Sequence, residues 1–209
     1  MTFDLWIAFV AASVALLIIP GPTVMLTLSY AISQGRRVAL SVALGVATGD
    51  LIAMSASMLG LGALIATSAT VFTIVKWVGA AYLVYLGVRM LRTRPDATLG
   101  LPDGSAEVSA AQVYRHAAVV TALNPKGIGF FVAFVPHFLN PGAAFAPQAV
   151  LLIATFTTLA ALNVTLYGLL AGRLRDRIRR PSVRLWLNRT GGGMLLAMAA
   201  LTASLRRVA

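Results

Sequence analysis

Two charged side chains interrupt long apolar runs of this sequence. Lys126 follows an Asn-Pro pair in TALNPKGIGFFVAFVPHF, and Asp50 lies in GVATGDLIAM. An ammonium or a carboxylate is costly in hydrocarbon unless it faces a cavity or a partner. The two groups indicate either a structural ion pair that specifies packing or a site that handles a charged ligand and a proton. In the second case Asp50 is the expected proton carrier, because burial favours the neutral form of a carboxyl group.

Proline breaks accompany both charged residues. The first apolar run contains PGP at 20–22, and the run with Lys126 contains NPK at 124–126. Proline removes a backbone donor and frees carbonyls that hydrocarbon cannot satisfy. The breaks therefore predict exposed backbone groups that could bind a ligand, and simple packing kinks are the alternative.

The composition indicates a membrane protein. Of 209 residues, 59% are hydrophobic and only 11% are charged, whereas a soluble domain has about 25% charged residues. A spanning helix needs about 20 apolar residues. Six apolar runs meet this need, at about 4–33, 38–66, 70–92, 113–138, 146–171 and 184–205. The predicted fold is an all-α polytopic membrane protein with six transmembrane helices in a single domain over 1–209.

The runs divide into two halves of three, which predicts two inverted repeats with proline-broken helices 1 and 4. Repeat one covers about 1–92, a cytoplasmic loop covers 93–112, and repeat two covers about 113–209. Arginines cluster on the connections predicted to face the cytoplasm, and the opposite loops at 66–70 and 139–148 have none. This asymmetry predicts that the N-terminus and the C-terminus both lie outside.

Small and polar residues complete the candidate site. Gly45 and Gly49 form a step that lets a neighbouring helix approach Asp50, and such steps also permit a homodimer. Asn163 and Thr165 hold in the second half the place that Asp50 holds in the first, and bridging between helices is an equal alternative to ligand contact. The candidate residues for the substrate and proton pathway are Pro20, Gly21, Pro22, Asp50, Asn124, Pro125, Lys126 and Asn163.

Enzymatic chemistry is not expected. The apolar runs contain no clear Ser/His/Asp set and no phosphate-binding loop, and the chain has no cysteine. His116 and His137 are expected near opposite membrane faces, so no metal and no cofactor is predicted. The Arg-rich segment at 173–184 is expected to contact anionic lipid and not nucleic acid.

Two stretches resemble the LysE/RhtB family of bacterial amino-acid exporters, and the resemblance covers the full length. They are PGPTVMLTLSYAISQGRRVALSVALGVATGD at 20–50 and TALNPKGIGFFVAFVPHF at 121–138. The chain departs from the family at His137, where the family usually has glutamine. The resemblance implies a multi-pass protein of the bacterial inner membrane that exports an amino acid or amino-acid derivative from the cytoplasm.

The expected mechanism is secondary active export by proton antiport, with an amino acid and protons as partners. Neutral amino acids are the family-typical substrates. Two alternatives stay open: an exporter or channel for another solute within the same superfamily, and a structural or lipid-scrambling bundle that transports nothing.

Overall fold

A computed structural model of the chain describes residues 1–19, 21–67, 69–92, 108–140, 142–178 and 180–204. Within these residues the chain is helical and contains no strand. The helices are α1 (Phe3–Ile18), α2 (Pro22–Ser33), α3 (Ala39–Thr67), α4 (Ala69–Arg92), α5 (Ala110–Ala122), α6 (Pro125–Ala133), α7 (Phe145–Ile178) and α8 (Pro181–Ser204). Two short 3-10 segments cover Gly35–Val38 and Val135–Phe138. The all-α prediction is confirmed for the described chain.

Both proline-containing runs are broken helices, as predicted. The first run is divided into α1 and α2, which meet at 55°, and the fourth is divided into α5 and α6. Pro22 and Pro125 each begin the second helix of their pair. Proline suits this position because its missing N–H would have no helical partner there. Pro20 lies outside the described residues.

Long apolar helices support a polytopic membrane protein. By length and composition, α3 over Ala39–Gly60 and α7 over Phe145–Ala171 can each cross a membrane, and the bent pair of α1 and α2 makes a third candidate. Large apolar side chains on the outer faces of α3 and α7 are exposed, including Leu44 and Leu162. An apolar exterior of this kind suits lipid.

Two helices begin three residues before the approximate boundaries predicted for them, and the predicted end of the fifth run, at 171, was wrong. α5 begins at Ala110 and not at 113, because Ser109 and Gln112 form a capping box in which each side chain accepts from the other's backbone N–H, at 3.3 and 3.0 Å. α7 continues to Ile178, and α8 begins at Pro181. Helix α7 extends beyond its apolar stretch because leucine and arginine are both good helix formers. Residues 93–107 of the predicted cytoplasmic loop lie outside the described residues.

Helix α3 has a central place in the packing. It contacts α5, α6 and α7, while α4 packs against α6 and α8. The core between them is apolar and aromatic, with the rings of Phe131 and Phe156 meeting edge to face at 4.8 Å. The largest fully buried side chains include Phe9, Phe130, Phe131, Phe156, Leu16, Met54, Met58, Leu83, Leu152 and Leu195.

The glycine step of α3 brings α5 close to Asp50, as predicted. A Cβ added at Gly45 would lie 2.5 Å from the Tyr114 carbonyl oxygen, and one added at Gly49 would lie 2.5 Å from the Ala118 carbonyl oxygen. Both positions are therefore filled by α5 of the same chain. They offer no surface to a second copy, so the predicted homodimer loses this support.

We expect Gly49→Ala to lower the thermal stability of the purified protein. The new methyl group would clash with the α5 backbone, and overpacking of this kind costs about 1 to 3 kcal/mol. Gly60→Ala on the same helix is the matched control, because a Cβ there meets nothing within 4 Å. Melting temperatures in detergent compare the two variants, and equal values would contradict the close packing of α3 on α5.

Candidate functional site

Side chains from the second half of the chain cap the broken end of α1. Carbonyls at the end of a helix have no partner in their own helix. The Lys126 ammonium donates to the carbonyls of Leu16 and Ile19, with Nζ at 2.9 and 2.7 Å from the oxygens. Asn163 Nδ2 donates to Leu17 O at 3.1 Å, and Tyr167 OH donates to Ile18 O at 2.9 Å. Four successive carbonyls are thus satisfied by three side chains.

The second break is tied to the first through Asn124. Its Oδ1 accepts from the backbone N–H of Lys126 at 3.1 Å, which caps the N-terminus of α6. Its Nδ2 donates to the Thr23 hydroxyl at 3.0 Å. The hydroxyls of Thr23 and Thr121 lie 3.3 Å apart. The start of α2, the end of α5 and the start of α6 therefore share one buried polar network.

Asp50 and Lys126 face the same space without forming a direct ion pair. Asp50 is 7% exposed and Lys126 is 9% exposed, and their charges interact electrostatically. Within the described residues, no carboxylate lies within the 4.0 Å of an ion pair from the Lys126 ammonium. In this conformation the Lys126 ammonium therefore reaches the carbonyls of α1 and not the Asp50 carboxylate.

One cavity joins the two breaks. Its volume is about 30 Å³, which is room for one or two water molecules. Of the predicted residues, Gly21, Asp50, Asn124, Lys126 and Asn163 line it. Pro22 and Pro125 shape the breaks but are not part of its lining. The remaining walls are mainly apolar and come from Leu16, Leu17, Val24, Val46, Phe156, Ala160 and Val164.

Sequence reasoning missed Thr23, Thr121 and Tyr167. A signal existed for Tyr167, because it follows Asn163 by four residues and so lies on the same face of α7. Thr23 directly follows Pro22, within the first turn of α2. For Thr165 the sequence left ligand contact and bridging between helices open, but its hydroxyl donates to Ala161 O of its own helix at 2.7 Å. It does not line the cavity.

The two histidines occupy separate places. His116 Nδ1 lies 2.8 Å from the Tyr30 hydroxyl, between α5 and α2. His137 Nδ1 lies 3.0 Å from the Phe134 carbonyl oxygen. Neither residue lines the cavity described above.

We expect Thr23→Val to lower both the melting temperature of the purified protein and its activity. Valine has nearly the shape of threonine but leaves the buried Asn124 amide without its acceptor, which costs about 1 to 3 kcal/mol. Thr165→Val is the matched control, because its hydroxyl bonds only within α7. Melting temperature and transport of the two variants are compared. A Thr23→Val protein as stable and active as Thr165→Val would show that the link between the breaks is dispensable.

The fold and the cavity define a helical membrane protein with charged side chains gathered at paired helix breaks. The chain belongs to the LysE type translocator family, whose model matches residues 14–205. This confirms the family resemblance.

Relatives of similar length carry efflux names. The chain is 32% identical to the homoserine/homoserine lactone efflux protein of Salmonella typhimurium, over 99% of both chains. It is 31% identical to the leucine efflux protein of Klebsiella pneumoniae subsp. pneumoniae, over 67% of this chain and 68% of that one. It is also 34% identical to an "uncharacterized membrane protein" of Vibrio cholerae serotype O1, over 98% of both chains. No solved structure matches significantly.

Proposed function

We propose that this chain is a secondary active exporter that carries an amino acid or amino-acid derivative out of the cytoplasm in exchange for protons. One observation carries the proposal: Asp50, Lys126 and the ends of two broken helices surround a single cavity. A transport site needs groups for a charged substrate and for the coupling ion at the same place, and discontinuous helices supply both. The efflux names of the relatives support the direction of transport.

The proposed membrane arrangement has six spans in two inverted repeats. It is supported by the packing of corresponding helices, because α3 contacts α7 and α4 contacts α8. Each half also begins with a broken helix. Three spans in each half invert the second half relative to the first. With the arginine-rich connections inside, both termini lie outside the bacterial inner membrane.

The helix ends around the cavity have partial charges that suit a zwitterion. The carbonyl end of α1 favours a cation, and the N-terminal ends of α2 and α6 favour an anion, because helix dipoles place partial charges of opposite sign at the two ends. The substrate ammonium binds at the α1 end, and its carboxylate faces the first turns of α2 and α6. Asp50 takes up the proton that drives the cycle.

The walls favour a neutral side chain on the substrate. Leu17, Val46 and Phe156 present apolar surface to the cavity, and among the described residues that line it Asp50 is the only acid. A second cation on the substrate would therefore lack a dedicated partner. Homoserine and leucine, which appear in the names of the related efflux proteins, are the first substrates to test.

Efflux from proteoliposomes tests the proposal. Liposomes with the purified protein are loaded with a mixture of labelled amino acids, and a proton gradient is imposed or collapsed with a protonophore. We expect gradient-dependent efflux of one or a few neutral amino acids. Liposomes without protein give the background. Efflux at the same rate with and without the proton gradient would indicate a channel. If the folded protein released none of the labelled amino acids, the proposal that it exports amino acids would be overturned.

A further inference from the structure

The Lys126 ammonium is held in the way that a bound primary amine would be. Its Nζ lies 2.9 Å from Leu16 O and 2.7 Å from Ile19 O, and both residues are buried. An ammonium group has three donors and no acceptor, so a pair of converging carbonyls is a fitting partner. This carbonyl pair is called the ammonium subsite below.

Neutral donors take the other two carbonyls of the same turn. Asn163 binds Leu17 O and Tyr167 binds Ile18 O, both from α7. The turn therefore leaves one place for a cation. The Lys126 side chain passes close to Gly21, because a Cβ built there would be in ordinary van der Waals contact with it, 3.5 Å from Cε and 3.6 Å from Nζ. Lys126 and Gly21 both line the cavity.

We infer that the ammonium subsite binds the primary ammonium of the transported substrate, which competes with Lys126 for the two carbonyls. The inference rests on the proposed export function, which supplies a substrate with an amino group. Exchange of one ammonium for another keeps both carbonyls bonded, whereas a vacant pair would leave a buried acceptor unsatisfied. The displaced Lys126 ammonium has Asp50 on the same cavity as a partner of opposite charge. Substrates with a blocked amino group are excluded.

Chemical rescue of Lys126→Ala tests the subsite. This substitution removes the atoms from Cγ to Nζ, and 1-propylammonium replaces them. We expect 1-propylammonium to raise the melting temperature of the variant in a concentration-dependent way, with no such effect on wild type or on Lys76→Ala. 1-Propanol has nearly the same shape without the charge, and sodium chloride supplies a cation without the amine. Equal effects of propanol or sodium would overturn the inference, as would the absence of any effect.

A second variant serves if Lys126→Ala does not fold. The chain has no cysteine, so Lys126→Cys introduces a single thiol. Its thiolate displaces bromide from 2-bromoethylamine, which gives a side chain of lysine length ending in an ammonium. 2-Bromoethanol gives the matched hydroxyl. We expect only the aminoethylated protein to regain the wild-type melting temperature and efflux. Equal recovery after both reagents would overturn the inference.

Substrate exchange is tested separately from export. We expect the amino acid that wild type exports to slow reaction of the thiol at position 126 with 2-bromoethylamine, and its N-acetyl derivative to have no effect. If 1-propylammonium stabilises the Lys126→Ala variant but wild type exports no amino acid, the ammonium subsite stands and the proposed export function is wrong. If wild type exports an amino acid that does not slow reaction of the thiol at position 126, the proposed export function stands and the inferred displacement of Lys126 by the substrate is wrong.

Discussion

Lys126→Met is expected to abolish gradient-driven export and to lower thermal stability. Methionine has a similar length but no donor, so the buried Ile19 carbonyl loses the side-chain donor shown at 2.7 Å. An unsatisfied buried acceptor costs about 1 to 3 kcal/mol. Leu16 O is less affected, because it also accepts from Ile19 N at 3.2 Å. The ammonium that would exchange with substrate or meet Asp50 is lost as well.

Efflux from proteoliposomes and melting temperature in detergent measure the two effects. The chain contains only two lysines, so Lys76→Met is the matched control. Lys76 lies 5.7 Å from the ring centroid of Trp77 and is not part of the cavity lining. We expect the control to export at the wild-type rate. A Lys126→Met protein that exports equally well would remove Lys126 from the mechanism.

Most of the helices and both breaks could be predicted from the sequence, for a local reason. Long apolar runs specify helices in a membrane, and prolines at positions 22 and 125 interrupt them through their own backbone geometry. The end of α7 was missed because apolarity was used to place it, whereas helix propensity carries the backbone on to Ile178. Hydropathy and helix length are different properties once a helix extends past its apolar part.

The sequence predicted which residues form the site better than it predicted the hydrogen bonds between them. A lysine and an aspartate in hydrocarbon need a shared polar space, and Lys126 and Asp50 do line one cavity. The partner of Lys126 was missed because it is backbone. The proline break predicted free carbonyls at the end of the first helix, but nothing in the sequence indicated that Lys126 would donate to those of Leu16 and Ile19. A buried ammonium does not require a carboxylate as its partner, because the free carbonyls at the end of a broken helix can accept its hydrogen bonds.

The two sides of the cavity differ in character. Four aromatic rings pack together on the side of α1 and α6, with Phe9 and Phe138 at 5.3 Å and Phe130 and Phe134 at 5.5 Å between centroids. Between α2 and α5 there are two separate polar contacts, one joining Thr23 to Thr121 and one joining Tyr30 to His116. In the proposed orientation the aromatic side faces outward.

Asp50→Asn is expected to uncouple transport from the proton gradient. Asparagine has the size of aspartate but cannot take up a proton at neutral pH, so the gradient can no longer drive the cycle. The buried charge also disappears, and removing a buried carboxylate without a direct ion-pair partner relieves a desolvation cost. We therefore expect the melting temperature to stay equal or to rise, while gradient-driven efflux falls to the rate of liposomes without protein.

Counterflow separates coupling from binding in this variant. Exchange of labelled for unlabelled amino acid across the membrane needs no gradient, so we expect Asp50→Asn to retain it. Asp4→Asn is the matched control, because Asp4 lies exposed in the first turn of α1. Uphill export by Asp50→Asn at the wild-type rate would exclude Asp50 as the proton carrier. Loss of counterflow together with efflux would instead assign Asp50 to substrate binding, since a group that only carries the proton is not required when no proton gradient is used.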